Sequence, residues 1–213
     1  MSERTVVHLL RHGEVHNPEK VLYGRLPGYR LSPLGEEMAE RAADALRDRD
    51  VVHLVSSPLE RAQQTAAPLA KALDLVIATD DRIIEAGNRF EGKRVGVGDG
   101  VLRHPRYWPW LWNPFRPSWG EPYAELASRM SAAVDSAREV ARGHEAVLVS
   151  HQLPVWVARL AAERRRLWHD PRRRECSLAS ITSLVFDDDA LVEVVYTEPS
   201  ADLLPKASPG KGA

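Results

Sequence analysis

The sequence predicts an α/β fold, with helices covering both faces of a mostly parallel sheet in a three-layer α/β/α sandwich. Short apolar runs of the length of buried strands alternate along the chain with segments that have the apolar spacing of helices. Two of these helical segments begin with a start signal, a serine followed directly by proline. The 213 residues suffice to bury a core of this kind without a metal or a disulfide.

The first half of the chain contains two predicted helices. Ser32 is expected to cap the first one, with Pro33 at its first position and apolar residues at helical spacing behind it. The four residues 57–60 (Ser-Pro-Leu-Glu) have the form of a capping box and predict a second helix with Pro58 at its first position. Three apolar runs predict buried strands: Thr5–Leu10, Val51–Val55 and Leu75–Ala78.

The second half has the same alternation and ends in a hairpin. An Ala-rich segment, Tyr123–Arg142, and a second segment, Gln152–Glu163, are predicted helices. Between them, Ala146–Val149 predicts another buried strand. The last two predicted strands form a hairpin around three aspartates and comprise Leu178–Phe186 and Leu191–Tyr196.

Two segments have no clear period. Residues 86–122 are rich in Gly, Pro, Trp and Arg, and long connections of this composition are typical of functional lids. Trp108, Trp110 and Trp112 alternate there, so their rings either line a site or only pack together as a small separate core. Residues 199–213 predict a flexible C-terminal tail. The expected organisation is one domain over residues 1–198, with a lid insertion and this tail.

Composition excludes several classes of protein. The net charge is −1, and a general nucleic-acid binder usually has a basic excess. No apolar run approaches the roughly 20 residues of a membrane span, so no membrane partner is expected. A single cysteine, Cys176, excludes an internal disulfide and favours a cytoplasmic location. The arginine cluster at 164–166 and 172–174 could bind an acidic partner, but it is interpreted as a solvated basic surface. A monomer or a homodimer is expected.

Polar residues follow three of the predicted strands directly. His12 and its neighbour Arg11 follow the first strand, Arg61 lies near the start of the helix after the second, and His151 follows a later one. Because parallel strands present their carboxyl ends at one edge of a sheet, these side chains are expected to meet there. Taken alone, each has an ordinary interpretation, such as a surface arginine or a buried histidine; their combination at matched strand ends is what predicts a site.

This combination of residue types favours phosphoryl chemistry. Two guanidiniums and a helix N-terminus favour an anion, and Arg binds phosphate oxygens well. A neutral imidazole such as that of His12 has a lone pair that can attack phosphorus without a separate base. The departing oxygen needs a proton, for which Glu85 is the first candidate because it follows the apolar pair Ile83–Ile84; Glu91 and Glu121 are the alternatives.

Several segments resemble the signatures of the histidine phosphatase superfamily, which includes the cofactor-dependent phosphoglycerate mutases. The resemblance extends from Val6 to Phe186 in the right order, so chance explains it poorly. It implies a phosphoglycerate mutase-like fold and one histidine phosphatase domain. The segments that carry it are Leu10–Glu14, Tyr23–Arg25, Ser56–Ala66, Gly120–Glu125 with Arg129, and Val149–His151.

The resemblance also implies roles for individual residues. His12 is the implied nucleophile, Glu85 the proton donor, and Arg11, Arg61 and His151 the groups that hold the phosphoryl oxygens. Neither a metal nor a cofactor is implied. Further implied contacts to phosphate or substrate come from Asn17, Gly24, Arg25 and Gln152, although Asn17 lies one position earlier than the family pattern and Gln152 replaces a common glycine.

Three functions follow as hypotheses, each with a small phosphorylated molecule as partner. The first is a metal-independent phosphatase that hydrolyses phosphomonoesters through a phosphohistidine at His12. The second is a cofactor-dependent phosphoglycerate mutase; against it, residues 19–22 (Glu-Lys-Val-Leu) offer little for a second phosphate. The third is a non-catalytic protein that binds phosphorylated ligands, which the presence of both histidines, both arginines and an acid disfavours.

Overall fold

A computed structural model describes residues 3–94, 105, 108 and 120–207 of the chain. The strands and α-helices of these residues alternate, as the sequence predicts. In chain order they are β1 (Arg4–Arg11), α1 (Pro33–Leu46), β2 (Val51–Ser56), α2 (Glu60–Leu73), β3 (Ile77–Thr79), α3 (Tyr123–Val140), β4 (Glu145–Ser150), α4 (Gln152–Ala162), β5 (Ile181–Asp187) and β6 (Ala190–Thr197).

The strands form one mixed sheet in the order β3-β2-β4-β1-β5-β6. The strands β3, β2, β4 and β1 are parallel to one another. β5 is antiparallel to β1, and β6 is antiparallel to β5. β1 and β4 lie in the middle of the sheet and are buried along almost their whole length, which explains their continuous apolar character. The predicted mostly parallel sheet is confirmed.

Helices pack on both faces of the sheet, so the predicted three layers are confirmed. Leu10 and Val149 belong to one buried cluster, which includes residues of α1 and α2. Leu9 and Leu148, their chain neighbours, belong to a second cluster with residues of α3 and α4. Successive side chains of a strand point to opposite faces, and each of these strands therefore contributes to both cores.

Helix α1 begins where the sequence predicts. The Ser32 hydroxyl accepts a hydrogen bond from the Gly35 N–H at 3.0 Å, and Pro33 is the first helical residue. Met38, Ala42 and Leu46 repeat at four-residue spacing and are buried against the sheet. Local sequence and tertiary packing agree in this helix.

Helix α2 begins later than predicted. Its first residue is Glu60, and Leu59, which has no capping side chain, takes the cap position. The capping box expected at Ser57 does not form because the Ser57 hydroxyl contacts His151 instead, at 2.8 Å. β3 also begins two residues late: Asp74 has a positive φ of 53°, and the N–H of Leu75 still bonds back to the helix at Ala70 O.

The first part of the predicted tail packs against the core, which corrects the expectation of a flexible segment for residues 199–207. Leu203 is 2 % exposed and belongs to the cluster under α1 and α2. The hydroxyl of Ser200 donates to Met38 O of α1 at 3.3 Å. The apolar residues of this segment are too few to show a period, so their burial leaves no signal in the sequence. Residues 208–213 lie outside the described part.

Most of the predicted lid also lies outside the described residues, including Trp110 and Trp112. Trp108 is described and is more than half exposed. Among the helices of the described ranges, none is long and apolar enough to cross a membrane.

Candidate active site

Three strand ends meet at one edge of the sheet, as expected from their parallel arrangement. Arg11, the last residue of β1, lies opposite Ser150, the last of β4. The chain stays hydrogen-bonded beyond the strands, because the N–H of His12 donates to Ser150 O at 3.1 Å and that of Ser57 to Val149 O at 2.9 Å. The side chains that follow these strands therefore enclose one place, termed here the strand-end pocket and formed by Arg11, His12, Arg61, Glu85 and His151.

The turn after His12 requires glycine. A Cβ atom on Gly13 would lie 2.4 Å from Gly35 O, closer than atoms can approach. A Cβ on Gly35 would meet Glu14 O at 2.0 Å. The loop after β1 can thus lie directly on the first turn of α1 only because both positions lack a side chain. The N–H of Gly13 donates to Thr65 Oγ1 of α2, which also fixes the loop against that helix.

His12 is held with one ring nitrogen available. Its Nδ1 contacts the carbonyl oxygen of Gly13 at 2.7 Å, a contact in which Nδ1–H must be the donor. Nε2 is buried and has no hydrogen-bond partner among the described residues. Burial, reinforced by the charges of Arg61 and Arg11, lowers the pKa of His12 well below its ordinary value. The ring is therefore neutral at physiological pH, with an unshared electron pair on Nε2.

Arg11 and Arg61 are buried cations whose hydrogen-bond partners are neutral. Arg11 donates from Nη1 to Cys176 O, and Arg61 donates from Nη2 to Gly24 O, both at 2.6 Å. The Nε of each is buried without a partner, and no carboxylate of the described residues forms an ion pair with either. Since a buried charge is costly unless it is paired, the two guanidiniums favour an anion between them.

His151 lies beside His12 at the N-terminus of α4, with 5.2 Å between the ring centroids. Its Nε2 contacts the Ser57 hydroxyl at 2.8 Å, and that hydroxyl oxygen accepts the N–H of Leu59 at 3.4 Å. Burial lowers the pKa of His151 well below its ordinary value, and the neighbouring cations lower it further. When the Ser57 O–H donates to Nε2, the neutral ring carries its proton on Nδ1, which has no partner among the described residues.

Glu85 is a buried carboxyl group whose position is set by the sheet. The Ser150 hydroxyl at the end of β4 donates to Ile83 O at 2.7 Å and holds the segment that leads to Glu85. Oε1 of Glu85 accepts the N–H of Ala86 at 2.8 Å, while Oε2 is buried without a partner in the described residues. Burial raises the pKa of Glu85, although Arg61 and Arg11 oppose the rise. A carboxyl in this state can hold a proton and donate it.

The two alternative proton donors, Glu121 and Glu91, are bound to other groups. Glu121 forms ion pairs with Arg129 and Arg25, at 2.7 and 3.0 Å. These pairs lower its pKa in spite of partial burial, so it stays ionised and is a poor proton donor. Glu91 accepts the backbone N–H groups of Arg25 and Asn88. Both carboxylates hold loops in place, and Glu85 is the acid that the structure leaves available.

Three of the predicted phosphate contacts have other partners in the structure. The Asn17 side chain donates to Val21 O and accepts from Val21 N–H, and so closes its own loop. Arg25 donates to the backbone carbonyl oxygen of Glu85 at 2.6 Å and to the carboxylate of Glu121. Its guanidinium therefore contacts the backbone of Glu85 and not the carboxyl group of that residue. Gln152 donates weakly to Cys176 O and accepts from Arg174. Their contacts to a substrate remain predictions.

Three residues of the site had no such role in the sequence-based prediction. Ser57 was expected to cap a helix, and it orients His151 instead. The ring of Tyr23 is buried, with the Arg61 guanidinium 4.8 Å from its centroid and the His12 ring edge-on at 6.5 Å. Arg174 was predicted to be solvated, yet it is largely buried and its charge acts on Glu85. The contact between the Arg61 guanidinium and the Tyr23 ring could not be predicted from the sequence, because the two residues lie on separate segments.

The described part of the chain has no group of three His, Cys, Asp or Glu side chains arranged to hold a metal ion. The guanidiniums of Arg61 and Arg11 supply positive charge beside His12. The arrangement is suited to group transfer at an anionic centre: a neutral imidazole with an available nitrogen, two cations, a second imidazole and a buried carboxyl whose pKa is raised.

Comparisons with known proteins point to one family. The family model described as "Histidine phosphatase superfamily (branch 1)" matches residues 7–198. The uncharacterized protein Rv0525 of Mycobacterium tuberculosis is 60% identical over 201 residues, which cover 94% of this chain and 100% of the relative. The probable phosphoglycerate mutase GpmB of Yersinia enterocolitica is 32% identical over 196 residues, covering 82% and 83% of the two chains.

A solved structure, that of a mycobacterial glucosyl-3-phosphoglycerate phosphatase, has the same fold. Its TM-score is 0.66 at 24% identity, and the alignment covers 93% of this chain and 98% of the other. The family match spans nearly the whole described domain, from β1 past the end of β6. The chain therefore belongs to the histidine phosphatase superfamily.

Proposed function

We propose that the protein is a metal-independent phosphatase that hydrolyses phosphomonoesters through a phosphohistidine at Nε2 of His12. The observation that carries this proposal is the state of His12 itself. Its ring is neutral, its Nδ1 is fixed on Gly13 O, and its Nε2 is buried without a partner beside two guanidiniums. This is the arrangement that attack on a phosphoryl group requires.

In the first step the ester phosphate occupies the pocket between Arg11, Arg61 and His151, whose N–H groups bind its oxygens. Nε2 of His12 attacks phosphorus, and the bond between phosphorus and the ester oxygen breaks. Glu85 gives its proton to that oxygen, so the alcohol leaves neutral. The arginines stabilise the charge that spreads over the transferring phosphoryl group.

In the second step the same groups act in reverse. The Glu85 carboxylate takes a proton from a water molecule, whose oxygen attacks phosphorus. The bond between phosphorus and Nε2 of His12 then breaks, and inorganic phosphate leaves. Glu85 is protonated again at the end, which returns the site to its starting state.

A mutase is the alternative with specific support, since the Yersinia relative at 32% identity is named a probable phosphoglycerate mutase. Solved structures with this fold are named both phosphatases and phosphoglycerate mutases, so the fold does not separate the two. Against a mutase, residues 19–22 (Glu-Lys-Val-Leu) offer little for binding a second phosphate. A mutase must return the phosphoryl group to the substrate before water removes it. Incubation with 3-phosphoglycerate separates the two: a phosphatase releases inorganic phosphate, whereas a mutase accumulates the 2-phospho isomer.

The substitution His12→Ala tests the proposal. With p-nitrophenyl phosphate and EDTA present, the wild-type protein should turn over, and kcat/KM of the variant should fall at least about a thousand-fold, because the nucleophile is lost. His144→Ala is the matched control: this histidine is exposed and precedes β4 at the opposite end of the sheet. It should retain wild-type activity.

Two results would contradict the proposal. Retained activity in His12→Ala would exclude His12 as the nucleophile. Tight binding of phosphorylated ligands by a wild-type protein that never forms acid-labile phosphohistidine would indicate a non-catalytic binding protein.

A further inference from the structure

Arg174 is a largely buried arginine next to the strand-end pocket. Its Nε donates to Nε2 of His169 at 2.9 Å, and its Nη1 donates to Oε1 of Gln152 at 3.3 Å. Its charge also acts on the side chain of Tyr123, whose ring lies 5.3 Å from that of His169. A guanidinium has five N–H donors, and the hydrogen bonds to His169 and Gln152 use two of them.

These three side chains next to Arg174 are neutral. Nδ1–H of His169 donates to Leu167 O, so its Nε2 is the bare, accepting nitrogen. Burial raises the pKa of Tyr123 and keeps the phenol protonated. Within the described ranges no carboxylate forms an ion pair with Arg174, in contrast to the exposed Arg172, which pairs with Asp170 at 2.9 Å. A largely buried cation without an anion is costly, and an anionic ligand would relieve that cost.

Arg174 is connected to the pocket by a chain of hydrogen bonds. Gln152, which accepts from Arg174, also contacts Cys176 O through its Nε2 at 3.4 Å. The same carbonyl oxygen accepts the short bond from Nη1 of Arg11. On the other side, the charge of Arg174 acts on the carboxyl of Glu85. Arg174 therefore lies beside the strand-end pocket, linked to Arg11 through Gln152 and the carbonyl oxygen of Cys176.

We propose that Arg174 is a specificity-determining residue, whose guanidinium binds a carboxylate carried by the alcohol part of the phosphomonoester. The proposal rests on the proposed phosphatase function, because the strand-end pocket fixes the phosphoryl group only if the site binds a phosphomonoester. A carboxylate suits the place better than a second phosphate, since its single negative charge matches the one guanidinium. Because only Gln152 and the carbonyl oxygen of Cys176 separate Arg174 from Arg11, the carboxylate must lie within a few bonds of the phosphoryl group.

The test compares binding of matched pairs of compounds that differ only in a carboxylate. Phosphoglycolate is paired with 2-hydroxyethyl phosphate, and 3-phosphoglycerate with glycerol 1-phosphate. Dissociation constants are measured by calorimetry in the His12→Ala background, in which no turnover consumes the ligand. In at least one pair the acidic member should bind about 10- to 100-fold more tightly, as expected for a charge-assisted hydrogen bond.

Adding Arg174→Gln should reduce that preference to within about 3-fold, and Arg174→Lys should leave an intermediate preference, because an ammonium lacks the guanidinium fork. Adding Arg173→Gln, which changes the exposed neighbouring arginine, is the matched control and should leave the preference unchanged. The lysine variant decides the question if the glutamine variant does not fold.

Two results would overturn the proposal: no preference in either pair, or a preference that survives both Arg174 substitutions. Neither depends on catalysis, so both are separate from failure of the proposed function, which is read from p-nitrophenyl phosphate turnover by the wild-type protein.

Discussion

Glu85 and Glu121 show how the surroundings of a single residue decide its chemistry. Both are glutamates that lie near arginines. Glu121 is only partly buried and is paired with two guanidiniums, which lower its pKa. Glu85 is fully enclosed, so the cost of burying its charge outweighs the attraction of Arg61 and Arg11 and raises its pKa. The first carboxylate is structural, and the second can exchange a proton.

The state of Glu85 predicts the pH dependence of the first chemical step. Glu85 must start protonated, so kcat/KM should fall as pH rises through its raised pKa. His12 stays neutral to well below pH 6.5, so no loss is expected on the acidic side near that value. Glu85→Gln should remove the alkaline fall and lower kcat/KM by about 10²- to 10⁴-fold on an alkyl phosphate such as glycerol 1-phosphate.

The loss should be smaller on p-nitrophenyl phosphate, whose leaving group departs without much help from an acid. Both substrates are measured from pH 5 to 8 on the wild type, on Glu85→Gln and on Glu193→Gln, a control at an exposed glutamate of β6. A flat wild-type profile, or equal losses on the two substrates, would exclude Glu85 as the proton donor.

At the scale of elements, hydrogen bonds between segments determine where the ends of strands and helices lie. The Ser57 hydroxyl binds His151, and α2 accordingly begins without a side-chain cap at Glu60. The Ser150 hydroxyl holds Ile83, and this bond from the end of β4 places Glu85. Helix α1 begins at the residue that the sequence predicts, and the hydroxyl of its cap, Ser32, also joins the helix to the loop after β1 by donating to Glu14 Oε2.

The segment after β6 behaves as part of the core, and this makes a prediction about stability. Leu203→Ala should lower the free energy of unfolding by about 2–5 kcal/mol, because it leaves a cavity under α1 and α2. Urea unfolding followed by circular dichroism measures the change. Val76→Ala is the control, since that side chain is 90 % exposed and its truncation should cost less than about 0.5 kcal/mol. An equally small effect at Leu203 would show that the segment is a loose tail.

At the scale of the whole molecule, folding encloses two histidines among cations. In the unfolded chain both titrate near the ordinary value of 6.5, whereas in the folded protein His12 and His151 remain neutral far below it. At pH values between the pKa of these histidines in the unfolded chain and their lowered pKa in the folded protein, the unfolded state binds more protons. Stability must therefore decrease as pH falls below about 6.5. The site that holds a neutral nucleophile thus makes the protein sensitive to acid.

The size of this effect can be measured. Each fully neutral histidine should cost about 1.4 kcal/mol of stability per pH unit below 6.5. Between pH 7.5 and 5.5, His12→Asn should therefore lose about 1.4 kcal/mol less than the wild type in urea unfolding. His16→Asn, at an exposed position, should show the wild-type decrease. An identical decrease in all three proteins would mean that His12 is charged or accessible when folded.

The sequence by itself determined the order of strands and helices, the three layers, and the edge of the sheet at which polar side chains meet. These features depend on the period of apolar residues and on parallel strands, which local sequence contains. Only the tertiary structure decided which partners individual side chains take. The Ser57 hydroxyl contacts His151, Arg25 donates to the carbonyl oxygen of Glu85, and Arg174 donates to Gln152. Leu203, from the predicted tail, is buried in the core. The reason is physical. A hydrogen bond or a desolvated charge depends on segments far apart in the chain, and no local period records which of them will meet.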